Sequence, residues 1–269
     1  MKTRLDSNQP YPFAAINAVV DIFDGQPLAT HSLEICLGDL SELVLGNQLA
    51  LDSKTILKNV QAVQARNGLI QISKRLKTLP AKSVDAEDRH FYNFSVELET
   101  GTEKVDIYLR TMFELERRYG FKKFIIVVPS AASRDVMLAS MPHSKKDFKT
   151  LHGVKPVAAH AFVYNPKLPA QLFNFAINGH MQILIMNIQA FDKKNIAVIH
   201  KKNDRKLLRH KPIEFIQHTR PIVLIDEPQS METETAKAAI ASLNPLCTLR
   251  FSHASPPGLS IPNYQGSLK

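Results

Sequence analysis

Two hydrophobic patterns alternate along the chain. Short, nearly unbroken apolar runs occur at Phe124–Val128, Ala161–Tyr164, Gln182–Ile188, Ile222–Ile225 and Leu246–Phe251, and runs this short fit strands buried on both faces. Between them lie stretches with an apolar residue every third or fourth position. In VDIYLRTMFELERRY, Val105, Tyr108, Leu109, Met112 and Phe113 share one helix face, and Gly120 supplies the stop. Leu168–Asn178 and Thr235–Leu243 also read as helices, and Ser130 caps another through Leu138. Strand and helix in alternation predict an α/β fold, a mainly parallel sheet with helices on both faces.

The first third of the chain is less regular. A helix over FAAINAVVDIF, opened by Pro12 and ended by Gly25 and Pro27, keeps Phe13, Ile16, Val20 and Phe23 at helical spacing. A second runs from Lys54 to Gln64, with Asp52 or Ser53 as its cap and Ile56, Leu57, Val60 and Val63 on one face. Leu79–Arg89 is polar and charged and reads as a surface loop, while FYNFSVEL, residues 91–98, reads as an apolar strand segment. The expected organisation is a helical and irregular region over 1–85 packed on an α/β domain over 86–252, then a disordered tail over 253–269. That tail has three prolines, two glycines and three serines without periodicity.

Composition narrows the partners. At 269 residues with 44% hydrophobic content the chain can bury a substantial core, and its net charge of +9 favours a polyanion such as nucleic acid over a merely basic soluble protein. His200–Lys211 is the densest basic run, either a solvated connection or a phosphate-tracking element. Cys36 and Cys247 stand far apart without metal-ligand spacing, which suits a reducing cytoplasm. No apolar run approaches the ~20 residues of a membrane helix, so no membrane association is expected.

Candidate chemistry collects at the predicted carboxyl ends of the strands: Glu99–Lys104, Pro129–Ser130, Asn187–Phe191, Asp226–Gln229 and Ser252. Strand, Thr100-Gly101-Thr102, Lys104 and helix make the layout of a phosphate-binding loop, where backbone N–H groups and a Lys meet phosphate. A structural turn is the alternative. The loop departs from a working one: Glu103 stands where Gly would let the backbone close, and Val105 offers no hydroxyl to Mg²⁺. Asp226-Glu227 follows the apolar run PIVLI. Asp at such a strand end can hold hydrated Mg²⁺, and Glu can polarise the attacking water, although an Asp-Glu pair can also cap a helix.

The runs NFSVELETGTEK, YLRTMFELERRYGFKKFIIVVPS, KPIEFIQHTRPIVLIDEPQSMET and AIASLNPLCTLRFS closely resemble the helicase-like part of the Res subunit of type III restriction enzymes, over about Leu5 to Ser252. The resemblance implies a RecA-like P-loop NTPase domain that uses ATP and Mg²⁺, with double-stranded DNA and a modification methyltransferase subunit as partners. By position it assigns Thr100, Gly101, Thr102 and Lys104 to the nucleotide loop, Gln9 to adenine, Asp226 to the metal and Glu227 to catalysis. It assigns Ser130, Arg134 and Asn187 to nucleic acid, and makes Phe191 part of the next backbone-contacting motif. After Ser252 the family pattern gives way to His253-Ala254-Ser255-Pro256-Pro257, a change of texture like that of a frameshifted or spliced end. The expectation is a truncated motor domain without its twin or its arginine finger, unable to hydrolyse ATP or cleave DNA alone. The alternatives are a non-catalytic basic DNA-binding or decoy subunit, and a non-functional remnant.

Overall fold

The computed structural model describes residues 10–29, 44–69, 72–82, 88–98, 104–140, 161–168, 170–188, 199, 210–253 and 267–268. Among these, the helices are α1 (Pro10–Val20), α2 (Ser53–Arg66), α3 (Lys104–Tyr119), α4 (residues 131–140), α5 (Ala170–Ile177), α6 (Pro212–Thr219) and α7 (Glu234–Ser242). The strands are β1 (Thr78–Lys82), β2 (Asp88–Leu98), β3 (Lys123–Val128), β4 (Ala161–Val163), β5 (Gln182–Asn187), β6 (Ile222–Asp226), β7 (Cys247–His253) and β8 (Ser267–Leu268). They form one sheet in the order β1-β2-β7-β6-β3-β5-β4, with β8 also against β2. Six strands, β2 through β4 in that order, run parallel, and β1 pairs antiparallel at the edge. The α/β class with a mainly parallel sheet is the one the alternating pattern predicts.

Alternate residues of each strand serve opposite cores. Phe124, Ile126 and Val128 of β3 face a cluster built with α1, α2 and α3, where Ile16, Val60 and Met112 are buried. Ile125 and Val127 face a second cluster built with α5, α6 and α7, where Phe175, Ile216 and Ile240 are buried. Such period-two sorting into two apolar faces explains why the strands read as unbroken hydrophobic runs. Helix α3 leaves β2 onto the first face and α7 leaves β6 onto the second. The carboxyl ends of β2, β7 and β6 therefore lie side by side, with α3 and α7 on opposite faces of the sheet.

Several expectations are corrected. Leu79–Arg89, read as a surface loop, holds β1 and the start of β2, with Thr78 opposite Tyr92 and Lys82 opposite Asp88. An edge strand needs only one hydrogen-bonding side, so polar composition and Pro80 are tolerated there. Helix α6 was not anticipated from its eight residues, too few for a periodic signal beside a basic run. Phe13, expected on the buried face of α1, is 37% exposed, and the Arg110 guanidinium stands 5.5 Å from its ring centroid. In the tail, Ser267–Leu268 pairs with Ser95–Val96, whereas 254–266 lies outside the described residues. The basic run over 200–209 and Cys36 lie outside them too. The cap of α2 is Asp52, whose Oδ1 accepts from the Thr55 N–H at 2.7 Å.

Two polar side chains stitch the amino ends of the sheet. Asn47 donates to the Lys123 carbonyl at 2.8 Å and accepts from the Lys122 N–H at 2.8 Å, while its own N–H reaches the Thr219 carbonyl at 2.8 Å. The approach leaves no room at Gly46, where a Cβ would stand 2.7 Å from the His218 carbonyl oxygen. Lys123 is fully buried, and its Nζ donates to the carbonyls of Phe175 and Asn178, each at 2.6 Å, satisfying the end of α5. Burial, and then the charge of Lys122, lowers the Lys123 ammonium to about 7. Between that value and the ordinary lysine range the unfolded chain holds one more proton, so this group makes stability rise with pH. Urea denaturation at pH 7 and pH 8.5 should therefore show wild type gaining stability relative to Lys123→Met across that interval. An unchanged difference between the two would show Lys123 to be charged in the fold throughout.

Candidate functional site

Lys104 is the first residue of α3, and Asp226 is the last of β6. One strand, β7, separates β2 from β6, so their backbones stand about 10 Å apart, a gap that a Lys side chain spans. Lys104 Nζ lies 3.3 Å from Asp226 Oδ1 and also donates to Glu227 Oε1. The side chains are 12%, 16% and 30% exposed for Lys104, Asp226 and Glu227, so solvent screens the ammonium and Asp226 less than it screens Glu227. Two adjacent carboxylates in such a setting repel each other, and the ammonium between them offsets this.

Tyr108 completes the cluster. It lies one helical turn after Lys104 on the same face and donates its hydroxyl to Asp226 Oδ1 at 2.7 Å. Its ring packs 4.7 Å, centroid to centroid, from Phe251 of β7. Burial, and next the charge of Asp226, pushes its hydroxyl well above the usual tyrosine range. For Glu227, burial pushes the carboxyl up. Hydrogen bonds from Lys104 and Gln229, with the charges of Lys104 and His253, outweigh that and hold it below its ordinary value. Gln229 Nε2 donates to Glu227 Oε2, and His253 Nε2 stands 3.9 Å from Glu227 Oε1.

The backbone at Glu227 is turned into the left-handed region, φ 51° and ψ 61°, just before Pro228 opens a short 3-10 helix over Pro228–Met231. A non-glycine residue there costs about 1–3 kcal/mol and persists only where its surroundings enforce it. The Glu227 N–H donates to the Phe251 carbonyl at 3.3 Å, and Ser230 donates to the Glu227 carbonyl through its N–H at 3.1 Å and its hydroxyl at 2.7 Å. Arg250, its side chain 5% exposed, pairs with Glu232 and ties β7 to the residues beyond this turn.

The other sequence-derived residues divide into three groups. Ser130 and Asn187 sit at neighbouring strand ends, since Val128 of β3 is in register with Asn187 of β5. Ser130 Oγ accepts from the Ser133 N–H at 3.0 Å and so caps α4, while the Arg134 guanidinium is paired with Asp135 at 2.9 Å. Gln9, Thr100, Gly101, Thr102, Glu103 and Phe191 lie outside the described residues. Val105 is described, and it packs against the apolar core. Sequence reading missed the polar roles of Tyr108, Gln229, Glu232, Arg250 and His253. A signal existed for Tyr108: a tyrosine on a buried face needs a partner for its hydroxyl. His253 reads as the start of a tail yet is the last residue of β7, in register with Leu98.

This arrangement can meet an anion with Lys104 and a hydrated cation with Asp226 and Glu227. Among the described residues no group of three or more His, Cys, Asp or Glu could hold a metal, so a cation here would draw most of its ligands from phosphate and water, as Mg²⁺ does. The acid and base side chains thus fit ATP–Mg²⁺ in charge, and Val105 lacks the hydroxyl such a site uses. No helix among the described residues is long and apolar enough to cross a membrane.

A family model described as type III restriction enzyme, res subunit, matches residues 52–256. The chain is 24% identical to the EcoP15I Res subunit of Escherichia coli, over 85% of this chain and 23% of that protein. It is 29% identical to the StyLTI Res subunit of Salmonella typhimurium, over 61% of this chain and 18% of that protein. It thus spans about a quarter or less of the length of these relatives. Among solved structures it is similar to the UvsW helicase of bacteriophage T4, with 16% identity and a TM-score of 0.33, over 59% of this chain and 45% of that one.

Tyr108→Phe removes the buried hydroxyl and nothing else. A hydrogen bond to a charged acceptor is worth about 1.5–3 kcal/mol, so urea denaturation should register a loss of that order. A neutral result would mean that Lys104 alone holds Asp226.

Proposed function

The chain belongs to the family of type III restriction enzyme Res subunits, and from that membership we propose that residues 86–252 are its RecA-like helicase motor domain 1, with a nucleotide pocket at Lys104, Asp226 and Glu227 that hydrolyses no ATP by itself. The observation that carries this reading is the meeting of Lys104 with Asp226 and Glu227 across β7, at the carboxyl ends of parallel strands. Lys104 faces the nucleotide phosphates together with the backbone of Thr100, Gly101 and Thr102, and Gln9 meets adenine. Asp226 would hold hydrated Mg²⁺, and Glu227, kept ionised by Lys104 and Gln229, would orient water. Bound Mg²⁺ supplies neutralising charge at the phosphates.

Two substitutions weaken the pocket. The apolar packing of Val105 removes a metal-binding hydroxyl, and Glu103 adds a negative side chain where a phosphate loop closes on its backbone. Double-stranded DNA and the modification methyltransferase subunit are the partners that family membership supports, in the cytoplasm. Ser130, Arg134 and Asn187 form the rim that tracks a nucleic-acid strand, with the cap of α4 supplying N–H groups toward phosphate.

Phosphate release by the 269-residue chain should stay at the blank, with or without duplex DNA. Clear turnover that Glu227→Gln abolishes would overturn the non-hydrolytic reading. Thermal melting should rise only slightly with ATP–Mg²⁺, and Lys104→Ala should remove that rise. The double change Glu103→Gly with Val105→Thr should restore tighter binding. At a nucleotide concentration of 100 times Kd the stabilisation is about 2.7 kcal/mol, or roughly 5–10 °C in Tm. No shift in the wild type or in the double variant would rule out a nucleotide pocket.

A further inference from the structure

Helix α2 exposes Lys54 and Lys58 one turn apart on its outer face. The chain that follows returns alongside it. Ser73 is bonded through its carbonyl to Gln61 at 2.9 Å, and through its hydroxyl and N–H to Gln64 at 2.9 and 2.8 Å. At the other end, the Lys77 carbonyl accepts from the Asn93 N–H at 3.1 Å, and the adjacent Tyr92 hydroxyl lies 2.8 Å from the Ser53 hydroxyl at the first residue of α2. Ser73 to Lys77 spans at most about 13 Å, with a bend at Lys74 and Arg75. From Gln61 back to Ser53 is about 12 Å of helix. Tied at both ends, the segment returns along α2 and brings the exposed Lys74, Arg75 and Lys77 to the side of Lys54 and Lys58.

Charge is left over in this strip. Among the described residues Lys54, Lys58, Lys74 and Arg75 enter no ion pair, whereas nearby Arg66 and Arg118 are drawn to Asp21 and Arg117 to Glu114. The acid inside the strip is Asp52, already committed to capping α2. Burial, and next the charge of Arg75, hold the Lys77 ammonium below its ordinary value. The strip also lies away from the candidate nucleotide pocket. Tyr92 is in register with Cys247, the first residue of β7, and is about 20 Å along β2 from Leu98.

We propose that Lys54, Lys58, Lys74, Arg75 and Lys77 form a second nucleic-acid contact, on the amino-end side of the sheet, that grips the sugar–phosphate backbone without reading sequence. Duplex DNA carries about one charge per 1.7 Å, so a strip about 12 Å long faces roughly seven phosphate charges. The neighbouring aromatic, Tyr92, is stacked on Phe94 at 6.2 Å and bonded to Ser53, which leaves no free ring for base stacking. Four of the five cations are lysines, which protein–protein interfaces disfavour. A backbone contact of this kind specifies position, not sequence.

The test is fluorescence anisotropy of the full chain with two 20-base-pair duplexes of unrelated sequence, over a salt series. The variant carries Lys54→Gln, Lys58→Gln, Lys74→Gln and Arg75→Gln. It should bind both duplexes about tenfold or more weakly at moderate salt, and its slope of log affinity against log salt should shrink by about 3. Its nucleotide-dependent melting shift should match that of the wild type, which separates this proposal from the nucleotide-pocket reading. Arg134→Gln should leave most of the slope in place. If the quadruple variant melts early, the pair Lys54→Gln with Lys58→Gln on one helix face should still lower the slope by about 1–2. Unchanged affinity and slope, no DNA binding by the wild type at low salt, complete loss with Arg134→Gln alone, or preferential binding of polyglutamate would each overturn the proposal.

Discussion

Lys104 carries the positive charge that offsets the repulsion between Asp226 and Glu227, side by side and mostly buried. Without it, two adjacent carboxylates at low exposure would repel each other uncompensated. The surrounding fold serves this arrangement: β7 spaces β2 from β6, and Tyr108 holds the inner carboxylate from the same helix that supplies Lys104. Glu227 is bent into a left-handed conformation that Phe251, Ser230 and Pro228 keep in place.

The two ends of the sheet differ in kind. At the carboxyl ends, charged side chains bond to each other across three strands. Toward the amino ends, Asn47 and Lys123 satisfy backbone carbonyls inside the fold and bind strands to helices. Beside that end, α2 and the segment returning along it carry Lys54, Lys58, Lys74 and Arg75, which enter no ion pair among the described residues. A net charge of +9 is thus gathered at least in part into a strip, and strips of one sign steer polyanions far better than scattered charge.

Membership of the Res family fixes what the domain descends from. At Val105 the side chain points its methyl groups into apolar packing, a contact worth keeping for stability and useless to a metal. The chain covers about a quarter or less of its curated relatives, so the activity of those whole proteins involves parts beyond the domain described here.

Much of this fold is written locally. Apolar runs at Phe124–Val128 and Ile222–Ile225 mean buried parallel strands in any context that covers both their faces, and the spacing of Tyr108, Leu109 and Met112 means a helix. Lys104, Asp226 and Glu227 could be singled out because phosphate and metal chemistry need those residue types after strands. Edge pairing could not be read at Leu79–Arg89, because one hydrogen-bonded neighbour supplies the order there and the side chains supply little. The partners of Tyr108, Arg250 and His253 were equally hidden, since each contact joins residues brought together only when β7 inserts between β2 and β6. The basic strip depends on how residues 73–77 fold back along α2. Sequence by itself determined the elements and the identity of the charges; tertiary structure alone decided which charges meet, because separation in space is set by strand order and not by distance along the chain.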